Sequence, residues 1–173
     1  MRRSVVILGV GHSGTTIVVR MLHAMGWKQA DSNSNYREMH RACKVNCKYL
    51  TSGVFDEAEA RVSVNYEDGW VMKDPRLVIT LPLWRDILVE KRVLLLHIER
   101  QIEDVKQSYI DRSLVNRDGE PALYGKTVDE LTLLGRQRYE EWEGDKLSLH
   151  YDQIAVAASL FDPQAHGHPI QRN

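Results

Sequence analysis

Continuous apolar runs in this chain alternate with stretches in which apolar residues recur every three or four positions. Ser4 to Leu8 (SVVIL) is short, unbroken and β-branched, the pattern of a strand buried on both faces. Thr15 to Met25 follows with Ile17, Val18, Met21, Leu22 and Met25 at helical spacing. Residues 31–68 are polar, with a helical pattern from about Tyr36 to Leu50 and again around Phe55 to Val64. Trp70 to Met72 predicts a second strand ending at Lys73-Asp74-Pro75-Arg76. Leu81 to Val89 fits an amphipathic helix, and Arg92 to Ile98 (RVLLLHI) is the clearest strand. Helices are expected from about Ile102 to Leu114 and from Val128 to Trp142. A strand over Lys146 to His150 and a short helix over Gln153 to Leu160 complete the pattern.

Strands separated by helices in this order predict an α/β fold of three layers, a mostly parallel central sheet flanked by helices. One domain over residues 1–161 contains every patterned stretch. Residues 162–173, with Pro163, Gly167 and Pro169, read as a flexible C-terminal tail. Ligands of such sheets bind at the carboxyl ends of the strands. Three separated segments therefore converge on one site: the loop after Leu8, the turn at Lys73, and Arg100 after Ile98.

Composition narrows the choice of partner. With 43% hydrophobic and 27% charged residues over 173 positions, the chain is neither disordered nor fibrous. Lys and Arg (23) nearly balance Asp and Glu (24), a formal charge of −1. That balance argues against nucleic acid as a main partner and makes any anion site a local concentration of donors. The two cysteines, Cys43 and Cys47, are too few for a disulfide framework or a zinc shell. They read as small buried thiols on one helix face, as in a reducing cytoplasm. The opening MRRSVVILGV is too short in its apolar part for a signal peptide, and no stretch approaches the ~20 apolar residues of a membrane span. A soluble cytoplasmic protein with no membrane partner is expected.

Gly9-Val10-Gly11-His12-Ser13-Gly14-Thr15-Thr16 has the spacing of the phosphate-binding loop G-x-x-x-x-G-K-[ST], with Thr15 in the lysine's place. Its glycines let the backbone curl so that successive N–H groups meet at one point, and the helix N-terminus adds partial positive charge. Gly11, His12, Ser13, Gly14, Thr15 and Thr16 are the candidate cradle, with hydroxyls adding donors. In nucleoside triphosphatases the lysine neutralises charge shared by the β- and γ-phosphates. Its absence disfavours a triphosphate with Mg²⁺ and favours a shorter anion, a 5′-phosphate or a phosphosulfate.

Arg100 offers a guanidinium fork at a strand end, and Ser108, about two turns into the next helix, can face the same anion. Taken together, GHSGTT and Arg100-x-x-x-Asp104-Val105-x-x-Ser108 resemble the paired signature of sulfotransferases that use 3′-phosphoadenosine 5′-phosphosulfate (PAPS). Lys73-Asp74-Pro75-Arg76 resembles that family's K-D-P-R turn. The resemblance runs from about Val5 to Ser108, with an echo at Leu147 to Ile154 (LSLHYDQI).

The resemblance implies a P-loop-like fold, PAPS as sulfuryl donor, and a small-molecule or glycan acceptor, most simply a hydroxyl. It implies that the first loop holds the 5′-phosphate and sulfuryl group, and that Arg100 and Ser108 hold the 3′-phosphate. A sulfuryl group carries less charge than a phosphoryl group, so no metal is expected. His12 stands where the family's loop usually has Lys or Arg, and as imidazolium it could stabilise the departing oxygen, its pKa raised by the bound nucleotide. Lys73 is the second candidate for that oxygen. For the general base, the segment after the first helix supplies Glu38 and His40, of which Glu38 is preferred.

His97, inside an apolar strand, reads as a core histidine. Arg112 could add charge beside Ser108, and Trp70 is one aromatic that could stack on adenine. Family members often close the pocket with a basic, glycine-containing loop near the C-terminus, for which only His166-Gly167-His168 stands here. A compact enzyme with an open site, completed or not by a second subunit in an oligomer, fits that pattern. Two alternatives remain: a small-molecule P-loop kinase, against which Thr15 and the Arg100/Ser108 pair speak, and a non-catalytic adenosine-bisphosphate-binding module.

Overall fold

A computed structural model describes residues 2–28, 32–33, 38–67, 69–116, 120 and 122–161, with the backbone alone at 32, 33, 38 and 158–161. The expected tail, 162–173, lies outside the described residues. In chain order the elements are β1 (Val5–Leu8), α1 (Thr15–Ala24), β2 (Ser32–Asn33), β3 (Glu38–Met39), α2 (His40–Ser52) and α3 (Glu57–Ser63). There follow β4 (Val71–Lys73), α4 (Leu77–Glu90), β5 (Leu94–Glu99), α5 (Ile102–Ile110), β6 (Ala122–Leu123), β7 (Lys126–Thr127), α6 (Val128–Glu140), β8 (Lys146–His150) and α7 (Tyr151–Phe161).

Four strands form a parallel sheet in the order β4-β1-β5-β8, with Ile7 opposite Lys73 and Leu8 opposite His97. Successive side chains of β1 alternate between the two faces. Val5 and Ile7 pack with Val18, Val19 and Ile154 from α1 and α7. Val6 and Leu8 pack with Leu77, Trp84, Leu88, Val105 and Leu131 from α4, α5 and α6. Both faces are thus covered, which explains the unbroken apolar reading of β1. The result is the expected three-layer, P-loop-like α/β architecture. The two short antiparallel pairs, β2 with β3 and β6 with β7, are additions to it.

Two helix starts and one burial expectation are corrected by the structure. The helical pattern from Tyr36 becomes a strand at Glu38–Met39, and α2 starts only at His40. The helix expected from Leu81 starts at Leu77 and carries Pro82 inside it. Proline favours the first helical position, but Leu77 and Val78 are almost wholly buried, and that burial prevails. Cys43 is half-buried and Cys47 exposed, so the expected pair of buried thiols is corrected to one half-buried and one exposed cysteine on the outer part of α2.

The strand order places a topological switch between β1 and β5. From β1 the chain leaves toward β4 on one side, and from β5 toward β8 on the other. Their carboxyl ends therefore flank a crevice, the place where doubly wound sheets take ligands.

Candidate functional site

That crevice is a cleft of about 430 Å³, walled by the loop after β1, the end of β4, and the α5 side of β5. The loop has two tight points. Gly14 sits at φ 96°, and a Cβ there would run into the ring of Tyr151. At Gly11 a Cβ would lie 2.8 Å from the Tyr109 hydroxyl. Glycine is required at both by close approach, and at Gly14 also by the left-handed backbone. His12 adopts the same region, at φ 64°. The N-terminus of α1 has no side-chain cap, so first-turn N–H groups and the positive end of the helix dipole are left for a ligand.

Gly11, His12, Gly14, Thr15 and Thr16 all line the cleft. Ser13 does not. Its residue is buried, and its hydroxyl is turned beneath the loop, 2.8 Å from where a Gly9 Cβ would stand, without a hydrogen-bond partner among the described residues. Its N–H already donates to the Val10 carbonyl at 3.2 Å. The hydroxyl expected as a donor from Ser13 is therefore absent from the cleft.

Lys73, the last residue of β4, is buried at 5% exposure yet borders the cleft. A buried polar network holds the turn behind it. Asp74 Oδ2 accepts from Asn46 Nδ2 at 2.7 Å, while Asp74 Oδ1 accepts from the Arg76 backbone N–H at 3.0 Å and from Arg76 Nη1 at 2.8 Å. Asn46 Oδ1 in turn accepts from Thr80 Oγ1 (2.9 Å) and Trp84 Nε1 (2.8 Å). Lys73 is thus presented by a turn whose carboxylate is paired and saturated by named partners.

Across the cleft stands Arg100. Its Nη1 donates to the His12 carbonyl at 2.9 Å, tying the two loops of the switch point together, and its guanidinium lies over the Tyr151 ring at 4.5 Å. Ser108 and Arg112, one turn apart on the α5 side, also border the cavity. Among the described residues lining it there are Lys73, Arg100 and Arg112 but no carboxylate. In a chain of net charge −1, that is the local concentration of donors an anion needs.

His12 feels this field. Burial first, then the charges of Arg112, Lys73 and Arg100, hold its imidazole below the usual histidine range, so it is neutral at pH 7 with the cleft as it stands. Its ring meets Tyr109 edge-on, with centroids 4.9 Å apart. His97 faces away from the cleft, stacked on Tyr139 with centroids 5.2 Å apart. Glu99 lies 3.4 Å from its Nδ1, but burial outweighs that carboxylate and lowers the pKa. It is the core histidine the sequence suggests.

No family model and no curated protein matches the chain. Among solved structures, an unliganded sugar kinase from Janibacter sp. HTCC2649 matches with a TM-score of 0.51 at 17% identity, over 92% of this chain and 94% of that one. The likeness is one of fold.

Other expectations fare differently around this cleft. Glu38 belongs to β3, where it pairs with Asn33 by backbone; its side chain lies outside what is described. His40 opens α2, is exposed, and is not among the residues bordering the cavity. Trp70 is 1% exposed in the core and cannot stack on a ligand. Among the described residues, the phenol rings that border the cavity are Tyr124 and Tyr151. Tyr151 follows β8, so the strand-end rule that found Arg100 could have found it. Tyr124 lies in the β6–β7 turn at φ 55°, beside Arg76, and no spacing in the sequence announces it.

No described helix is long and apolar enough to cross a membrane.

Proposed function

We propose that the protein transfers a sulfuryl group from PAPS to a hydroxyl acceptor, a small molecule or a glycan. The observation that carries the reading is the meeting, in one cleft with no carboxylate among its described lining residues, of a lysine-less glycine loop with a second cationic wall built from Arg100, Ser108 and Arg112. Two separated donor sets suit a nucleotide that is anionic at two places, and neither set alone requires one. PAPS supplies the activated sulfuryl group. The loop N–H groups and Thr16 hold its 5′ side, and Arg100 with Ser108 holds the 3′-phosphate. Lys73, with His12 once an anion has raised its pKa, donates to the bridging oxygen on which charge builds. The S–O bond to that oxygen breaks as one to the acceptor hydroxyl forms. The acceptor's proton passes to a base, for which Glu38 remains our candidate, and adenosine 3′,5′-bisphosphate departs.

The second reading is a small-molecule P-loop kinase, favoured by the shared fold with the sugar kinase. Thermal shift separates the two. Stabilisation by adenosine 3′,5′-bisphosphate supports the sulfotransferase, and stabilisation by ATP–Mg²⁺ alone refutes it. Bisphosphate binding without sulfate transfer across a broad hydroxyl panel leaves a non-catalytic binding module.

A further inference from the structure

Tyr109 is fully buried, yet its hydroxyl has no hydrogen-bond partner among the described residues. An orphaned buried hydroxyl is destabilising, and phenylalanine would fill the same space without that penalty. The hydroxyl lies against the backbone of Gly11, the first cleft-lining residue of the loop, and the ring meets His12 edge-on. It therefore lies beneath the one stretch of the loop that has both a glycine and a left-handed neighbour, where a peptide plane can turn at little steric expense. Apolar surroundings also push its phenol well above the ordinary tyrosine range, so it stays a neutral donor at any working pH.

We propose that Tyr109 is a positioning residue for the anion loop: when an anion occupies the cradle, the Gly11–His12 peptide turns and the Gly11 carbonyl accepts the Tyr109 hydroxyl. The N–H and C=O of a peptide point in opposite directions. Turning the His12 N–H toward an anion in the cleft carries the Gly11 carbonyl away from it, to the side where Tyr109 waits. The buried donor is thus satisfied only in the ligated loop, and the ring fixes the His12 side chain across the same peptide. The inference rests on the anion-binding reading of the loop, but not on the identity of the nucleotide.

The test compares wild type with Tyr109→Phe, using inorganic pyrophosphate and adenosine 3′,5′-bisphosphate as probes in calorimetric titration and thermal melts. The ligand-free melting temperature should hold or rise, while affinity for both probes falls about five- to tenfold, the worth of one hydrogen bond. The wild-type minus variant ultraviolet difference spectrum should also change on adding pyrophosphate, because the environment of one phenol changes. A lower ligand-free melting temperature with unchanged affinities would make Tyr109 a packing residue and overturn the proposal. Unchanged values throughout, or a wild type that binds neither probe, would overturn it as well. If Tyr109→Phe weakens pyrophosphate while the bisphosphate binds no better than pyrophosphate, the positioning role stands and the PAPS reading falls.

Discussion

Removing Arg100 is the most discriminating perturbation of this site, because the side chain braces the loop and, in the function proposed above, also grips the ligand. In Arg100→Ala the 2.9 Å bond from Nη1 to the His12 carbonyl is lost, together with the guanidinium over Tyr151. A charge-assisted hydrogen bond is worth about 1.5–3 kcal/mol, and an exposed cation–π contact about 0.5–1 kcal/mol. The side chain is 23% exposed, so water replaces part of both. A stability loss of about 1–2 kcal/mol is expected, which for a domain of this size lowers the melting temperature by about 2–8 °C. The ligand term is separate. Loss of the 3′-phosphate's guanidinium should weaken adenosine 3′,5′-bisphosphate by about 2–3 kcal/mol, roughly 30- to 150-fold. Adenosine 5′-phosphate should lose only the part that comes from a looser loop, about threefold. Titration of both nucleotides against both proteins reads the difference directly. Equal losses for the two would mean that Arg100 only braces the loop, and the two-ended grip would be refuted.

Three further outcomes follow from the same geometry. Gly14→Ala forces a side chain into left-handed backbone and against Tyr151, and should cost about 2–4 kcal/mol in urea unfolding along with all anion-dependent stabilisation. Asn46→Ala strips partners from Asp74, Thr80 and Trp84 at once, so about 2–4 kcal/mol of stability should go, with Lys73 displaced and bisphosphate affinity reduced. For His97 the sign runs toward acid: burial lowers its folded pKa below the unfolded value, so its neutral form is the one compatible with the fold. Stability is complete above about pH 6.5 and falls below it, with a slope approaching about 1.4 kcal/mol per pH unit. His97→Gln should flatten that slope in melts between pH 4.5 and 7, while His12, lowered in the same direction, keeps its own share.

The elements buried on both faces were the readable ones. Near-continuous apolar runs at Val5–Leu8 and in the RVLLLHI stretch can hardly be anything but inner strands, and β1 and β5 are the two strands that flank the switch point. The glycine spacing followed from chemistry that needs no tertiary context. What could not be read depends on partners distant in sequence. Helix α4 begins early because its first apolar residues meet the sheet, overriding the boundary that Pro82 suggests. Ser13 looked like a donor by type, and only the curl of the loop decides that its hydroxyl points down. Tyr109 follows Ser108 directly, and nothing local distinguishes a surface tyrosine from one lodged under the cradle. Tyr124 enters the cleft through a six-residue hairpin too short to carry a pattern.

The gauge of the cleft is set by the sheet rather than by side chains. Lys73, the glycine loop and Arg100 rise from three adjacent strands, so the strand ends that carry them are one strand spacing apart, about 4.8 Å, and the outer pair about twice that. Point substitutions can change the charge or reach of each anchor but not this ruler. A ligand whose two negative groups are spaced differently would demand an extra strand or an inserted turn, so on the two-ended reading proposed above the backbone sets that spacing before any side chain takes part.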